Sequence, residues 1–395
     1  LTMSIIFTFL GIVFALLVAY IFSFNRKAID IKKPMIMIVI QIVLVLFMMN
    51  TSIGLNLLTA MSTFFEGLMN ISKEGIEFVF GDLQNKNGYN FFLNVLLPLV
   101  FISVLIGMLN YFKILPFLIK IIGWIINKIT HMGQLESYIA ISTSMLGQPE
   151  VYLTVKNIIP SLSKEKLYTI ATSGMSAVSM AMLGSYMQMI DPKYVVTAVV
   201  LNIFSALIIA SVINPYKNDN KELEAESEKN IKKTTFFQMI GESAIDGFRI
   251  AITVAIMLLA FISLMKGITI VFDLVGLDFK KLIGYIFAPI AFIMGIPWSE
   301  AIRAGSIMAT KLITNEFVAM LDFQKIASSL SPKTQGIISV YLVSFANFGT
   351  VGIMVGAIKG IDNKQGNKVA SFALRLLLGA TLASIISASI IGLVL

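Results

Sequence analysis

Cysteine is absent from all 395 residues, which removes disulfides, thiolate nucleophiles and zinc–thiolate centres and leaves the redox compartment open. Histidine occurs once, as His131; one imidazole cannot build a histidine metal cage and makes general acid–base catalysis hard to assemble. Charge is scarce as well. Only 13% of residues are Asp, Glu, Lys or Arg, about half the share of an ordinary soluble domain, so water is not the main solvent of this chain. No phosphate-cradling glycine loop, HExxH pair or nucleophilic triad is present. An enzyme is disfavoured, and no metal or cofactor is expected. The net charge of +8 comes from short loops between apolar runs, not from a basic stripe interleaved with aromatics, so nucleic acid is not an expected partner.

What remains is apolar: 57% of residues, with a mean hydropathy of +0.87. Runs of about twenty such residues cross a hydrocarbon core of roughly 30 Å, and the lipid bilayer is the expected surrounding. Spanning helices are expected near 3–24, 34–50, 92–112, 166–190, 194–214, 247–272, 334–358 and 368–393. The first has no basic segment before it and no small-residue cleavage site after it, so it reads as a retained helix. Arg26, Lys27, Lys32 and Lys33 follow it. Lys217, Lys221, Lys229, Lys232 and Lys233 occupy the most polar linker, Lys164 and Lys166 precede the fourth span, and Lys359, Lys364 and Lys368 separate the last two. The positive-inside rule places these four loops in the cytoplasm. Both termini are then outside, provided that 135–160 and 297–328 enter the membrane and return.

Each of these two segments carries a polar tip that a lipid-facing helix would not tolerate: Gly147-Gln148-Pro149-Glu150 in one, Thr314-Asn315-Glu316 in the other. Re-entrant helical hairpins packed within protein reconcile the tips with the charge bias. A span broken by small and polar residues follows each hairpin, at Ser173 to Ser179 and at Ser344 to Thr350. Hairpin, broken helix and plain helix thus occur twice, with opposite entry sides. Such an inverted repeat is how many secondary transporters build a substrate site. Before the first hairpin, residues 111–132 mix Lys113, Lys120 and Lys128 with Trp124 and apolar residues, as an interfacial helix does. Residues 51–91 are weakly apolar, with an external loop expected around Asp82 to Gly88.

Glu150 and Glu316 sit in apolar surroundings, where an ionised carboxylate costs ~2.5 kcal/mol or more unless paired or solvated. They are functional candidates, and the alternative is that they lock helices together through Arg249, Arg303, Lys311 or Arg375. Gly147 and the half-helix ends expose backbone groups that a continuous helix would use up. Gln148 and Asn347 each donate and accept, matching a nucleobase edge, and Glu316 can accept from two sugar hydroxyls. Phe345 is either an apolar wall for the ligand or core packing. Glu136 and Glu300 stand at the hairpin bases, where helix starts favour carboxylates, and His131 is expected at the surface.

These residues resemble the concentrative nucleoside transporters, and specifically their bacterial NupC-like branch. Gly147-Gln148-x-Glu150 is similar to the family's first hairpin tip, Asn315-Glu316-Phe317-Val318-Ala319 to its second, and Ser344-Phe345-Ala346-Asn347 to its second broken helix; the likeness covers nearly the whole chain. It implies an all-α fold of about eight transmembrane helices plus two re-entrant hairpins, assembled as a homotrimer whose transport part slides against a scaffold as an elevator. By position, Gln148 and Glu150 would face the base, Glu316 and Asn347 the ribose, with Phe345 and Met182 lining the pocket and Thr350 also contacting ribose. Pro149 departs from the family's Thr or Ser and removes a hydroxyl and a backbone donor, which puts base preference in question. Thr143 and Ala177 stand where sodium-coupled members place Asn and Ser. The NupC-like branch implies proton coupling, with Glu316, Glu150 and Thr143 as ion-coupling candidates.

The organisation expected is N-terminal scaffold helices in 1–112, a first transport part in 113–214, a cytoplasmic linker in 215–235, a scaffold helix and external segment in 236–285, and a second transport part in 286–395. The function expected is proton-coupled import of nucleosides, pyrimidine nucleosides such as uridine among them, across a bacterial inner membrane. The alternatives are a sodium-coupled nucleoside symporter and a gate-type membrane assembly protein with no solute site.

Overall fold

A computed structural model describes residues 2–81, 90–146, 148, 150–156, 158–217 and 234–395, and among them there is helix but no strand. The first half contains α1 (Thr2–Ile21), α2 (Lys32–Asn50), α3 (Ser52–Phe80), α4 (Pro98–Tyr111), α5 (Ile114–Thr130) and α6 (Gln134–Leu146). It continues through α7 (Glu150–Thr154), α8 (Lys164–Ser176), α9 (Met180–Met187) and α10 (Pro192–Ile213). The second half contains α11 (Phe236–Leu274), α12 (Phe279–Ile293), α13 (Trp298–Ile313) and α14 (Glu316–Ile326). It closes with α15 (Pro332–Leu342), α16 (Phe348–Ile361), α17 (Asn363–Ser371) and α18 (Ala373–Ile391). Among the described residues, five helical stretches are long and apolar enough to cross a membrane, or six if α12 and α13, bent by 116°, form one span. The chain is a multi-pass membrane protein.

Two expectations need correction. Residues 51–91, read as weakly apolar with an external loop, contain the 29-residue helix α3. Thr51 caps it by accepting from Gly54 N at 3.0 Å, and Leu58, Phe65, Met69 and Ile76 bury one stripe. Glu66, Lys73, Glu74 and Glu77 dilute its hydropathy, so an average over the window hides a one-sided helix. The loop expected at Asp82 to Gly88 lies outside the described residues. Where an external segment was expected at the end of 236–285, the helix α12 begins at Phe279. Its contact with α13 is made by glycines: a Cβ on Gly305 would lie 2.6 Å from the Gly284 carbonyl oxygen and 2.8 Å from Ala288 N. The backbones cross where only hydrogen fits, a packing mode that suits helices in lipid.

The expected breaks are present. α8 ends at Ser176 and α9 begins at Met180; α15 ends at Leu342 and α16 begins at Phe348. A break in lipid strands backbone carbonyls that must find donors, and in the second break side chains from other helices supply them. Asn202 of α10 donates to the Val343 carbonyl at 2.5 Å, and Lys311 of α13 donates to the Tyr341 carbonyl at 2.5 Å. Asn202 also accepts from Ser387 Oγ at 2.7 Å. α8, α10, α15 and α18 therefore form the centre of the molecule, with α10 and α18 buried along most of their length.

The peripheral elements wrap this centre. α5 turns one apolar stripe, Leu115, Ile119 and Ile126, toward α6 and leaves Phe117, Ile121, Trp124 and Ile125 exposed. His131 ends it in a left-handed conformation, φ 55°, and is exposed. α11, at 39 residues, is about 58 Å long and packs on α4 through small residues, with Gly247 against Leu99 and Ser103 and Gly107 against Ser243. Glu136 and Glu300 do lie in first turns, yet each bonds across the fold instead of only capping its own helix. Tyr216 donates to Glu136, and Ser331, which caps α15, donates to Glu300 through both its backbone N–H and its hydroxyl at 2.9 Å.

Candidate substrate site

α13 and α14 meet at Thr314–Asn315. With 16 and 11 residues they are about 24 and 16 Å long, so neither crosses a membrane alone. Asn315 ends the turn by accepting from Val318 N at 3.0 Å, which starts α14 with Glu316 in its first turn, where the helix dipole favours a carboxylate. Glu316 is 4% exposed. Its two oxygens accept from different elements: Oε1 from Tyr186 Oη at 2.9 Å, Oε2 from Asn347 Nδ2 at 3.1 Å.

Asn347 does a second job with its other amide atom. Oδ1 caps α16 by accepting from Thr350 N at 2.9 Å and Thr350 Oγ1 at 3.1 Å. The hairpin tip, the second broken helix and the first broken helix thus meet in one buried polar cluster of Glu316, Asn347, Thr350 and Tyr186. Phe345, half-buried, and Met182, buried, belong to the surrounding core.

No cation lies within salt-bridge distance of Glu316 among the described residues. Arg249 pairs with Asp246, Arg303 donates to Ser329, and Arg375 lies over the Phe24 ring. Lys311 is fully buried and donates to the oxygens of Tyr341, Ser344 and Ser384, at 2.5, 2.6 and 3.4 Å, while its charge and that of Glu316 still act on each other through the core. It holds the broken helix.

Of the first tip, Gly147, Pro149 and the Glu150 side chain lie outside the described residues. Gln148 is described: neither its amide oxygen nor its nitrogen, both buried, has a hydrogen-bond partner among the described residues. Thr143 is buried and its hydroxyl donates to the Ile139 carbonyl in its own helix at 2.7 Å, leaving only oxygen lone pairs to offer. Ala177, also buried, offers no side-chain oxygen.

Tyr186 and Lys311 were not singled out as site residues by sequence. Tyr186 stands four residues after Met182, on the same face of α9, and that spacing was the available signal. For Lys311, named above only as a possible partner of a buried carboxylate, it was a cation at the apolar end of a helix whose other charges, Glu300 and Arg303, lie near its start.

Residues 10–83 match the family described as Na+ dependent nucleoside transporter N-terminus, 92–193 the one described as nucleoside recognition Gate, and 194–392 the Na+ dependent nucleoside transporter C-terminus. Over 99% of both chains the sequence is 33% identical to the purine nucleoside transport protein NupG of Bacillus subtilis. It is 29% identical to the nucleoside permease NupC of Helicobacter pylori, over 99% of this chain and 98% of that one. Among solved structures it is similar to CNTnw in an inward-facing substrate-bound state, with a TM-score of 0.93 at 29% identity over 99% of both chains. An outward-facing variant of CNTnw gives 0.94 at 29% identity, over 100% of this chain and 98% of that one.

Proposed function

Because the chain belongs to the concentrative nucleoside transporter family, beside its bacterial NupC-like members, we propose that it is a symporter importing nucleosides, uridine among them, across the bacterial inner membrane. The coupling ion in this reading is the proton. The observation that carries it is the junction of Glu316, Asn347 and Tyr186, where both halves of the chain contribute to one buried carboxylate. Two vicinal ribose hydroxyls suit that junction, since each can donate to a Glu316 oxygen and accept from Asn347 or Thr350. Gln148 is then left for the base, with Gly147 and Glu150 of the same tip, while Phe345 and Met182 supply apolar walls.

An inverted repeat with its site where the halves meet suits alternating access. In the reading proposed, the parts in 113–214 and 286–395 move as an elevator against a scaffold formed by 1–112 and 236–285, within a homotrimer, and both termini face outside. The linker 215–235 lies in the cytoplasm. The relative named for purine nucleosides brings purines into the range to be tested beside uridine.

The experiment is uptake of labelled uridine and adenosine into vesicles carrying the purified chain, with and without a pH gradient and with and without sodium. Accumulation driven by the pH gradient is the expected result. Accumulation that needs sodium instead would move the chain to the alternative its family's description names, and no uptake of any nucleoside would favour an assembly protein with no solute site.

A further inference from the structure

We propose that the Tyr152 hydroxyl contacts the edge of the nucleobase and helps set which bases this chain accepts, an inference that rests on the nucleoside reading above. Tyr152 lies in α7, just after the first tip, and is fully buried. Its hydroxyl has no hydrogen-bond partner among the described residues, and neither do the Gln148 amide atoms or the hydroxyls of Ser173 and Ser176. Buried polar atoms are almost always paired. Orphans gathered in α7, α8 and the first tip mark groups left for a polar partner that is not part of the chain.

Gly174, in the last turn of α8, shows where two of them converge. A Cβ there would lie 2.2 Å from Tyr152 Oη and 2.7 Å from Gln148 Nε2. Both polar atoms therefore pack against the bare backbone of α8 at Gly174, yet they do not bond each other. Glycine within a helix is unfavourable, and here it leaves the room that these two polar groups occupy. The Ser173 hydroxyl, on the neighbouring residue, is unpaired as well.

The chemistry of the set selects the ligand. A hydroxyl and an amide both donate and accept, and neither carries charge. They fit a neutral edge that presents a carbonyl in one base and an amine in another. The sugar end is accounted for by Glu316, Asn347 and Thr350 from the second half of the chain, so the groups of the first half are left for the base. Pro149 offers no hydroxyl at the tip, and Tyr152 is the hydroxyl-bearing side chain that follows it.

The test is Tyr152→Phe, assayed for uptake of adenosine, inosine and purine riboside, which lacks the exocyclic group, and of uridine, cytidine and pyrimidin-2-one riboside. Removing an unpaired hydroxyl leaves the packing intact, so the variant is expected to fold with unchanged or raised thermal stability. Uptake of the nucleosides bearing an exocyclic group should fall about five- to tenfold, the scale of one neutral hydrogen bond. The two ribosides without that group should be little affected, and the preference for ribose over 2′-deoxyribose should not move. An equal loss across the series, or no loss, would overturn the inference while leaving the transporter reading intact. A wild-type chain that takes up none of the six would overturn both. Gly174→Ala, which places a methyl between Tyr152 and Gln148, should shift the same ratios, and a uniform effect there would likewise count against the assignment.

Discussion

Glu316 is buried, and among the described residues its hydrogen-bond partners are two neutral donors. Hydrogen bonds to a charged group contribute about 1.5–3 kcal/mol each, so replacing the carboxylate by an amide, which has one fewer acceptor, removes more than a single neutral contact. Glu316→Gln should lower nucleoside uptake by at least about a hundredfold, two such bonds' worth, while the protein still reaches the membrane. Wild-type-like uptake would take Glu316 out of the site. Tyr186→Phe deletes one of the two donors and leaves Asn347 in place. Its loss should be smaller, about tenfold, and the two variants compared in one uptake series check the ranking. Glu316 was legible as a carboxylate in an apolar run. Tyr186 was not, because it lies 130 residues away and only the packing of α9 against α14 brings it to the carboxylate.

The two broken helices were legible for a related reason: small and polar residues in the middle of an apolar run cannot face lipid, and Ser173 to Ser179 contains the first observed gap while Ser344 to Thr350 covers all of the second but Val343. What fills a gap was not legible. Asn202 and Lys311, which donate to the carbonyls of Val343 and Tyr341, come from other helices. α3 was missed because its charged face lowered an averaged hydropathy, and α12 because 15 residues fall short of the length that marks a span. Its glycine crossing with α13 yields a test at this scale. A Cβ on Gly305 meets only backbone atoms within 3 Å, and backbone cannot step aside as a side-chain tip can. Gly305→Ala should cost about 1–3 kcal/mol and lower the thermal midpoint in detergent. Gly75→Ala in α3 meets nothing within 4 Å and should gain up to ~1 kcal/mol from helix propensity. Equal behaviour of the two variants would show that the α12–α13 crossing is not a tight backbone contact.

Over the whole molecule, charge bias and the repeat make one joint claim about direction. The absence of cysteine makes that claim easy to probe: single cysteines at Ser163, which caps α8, and at Ser227 should react with an impermeant reagent only from the cytoplasm. Labelling of both from outside would reverse the topology and with it the entry sides of the two hairpins. Direction matters because a symporter must couple substrate to one ion gradient. Sodium held in a protein needs several oxygen ligands, and here the two expected positions offer one side-chain oxygen between them: the Thr143 hydroxyl, whose lone pairs are free, whereas Ala177 has none. A proton needs only one acceptor, and Glu316 lies where substrate hydroxyls would meet it, so its protonation and ribose binding would be felt at the same two oxygens. Uptake should therefore rise as external pH is lowered at fixed internal pH, with little difference between sodium-containing and sodium-free buffer. The measurement is initial-rate uptake across that pH range in both buffers, repeated with Glu316→Asp to keep a carboxylate at altered reach. Saturable stimulation by sodium at constant pH, with no response to an imposed proton gradient, would mean that Thr143, Ser144 or backbone carbonyls complete an ion site and that the proton assignment is wrong.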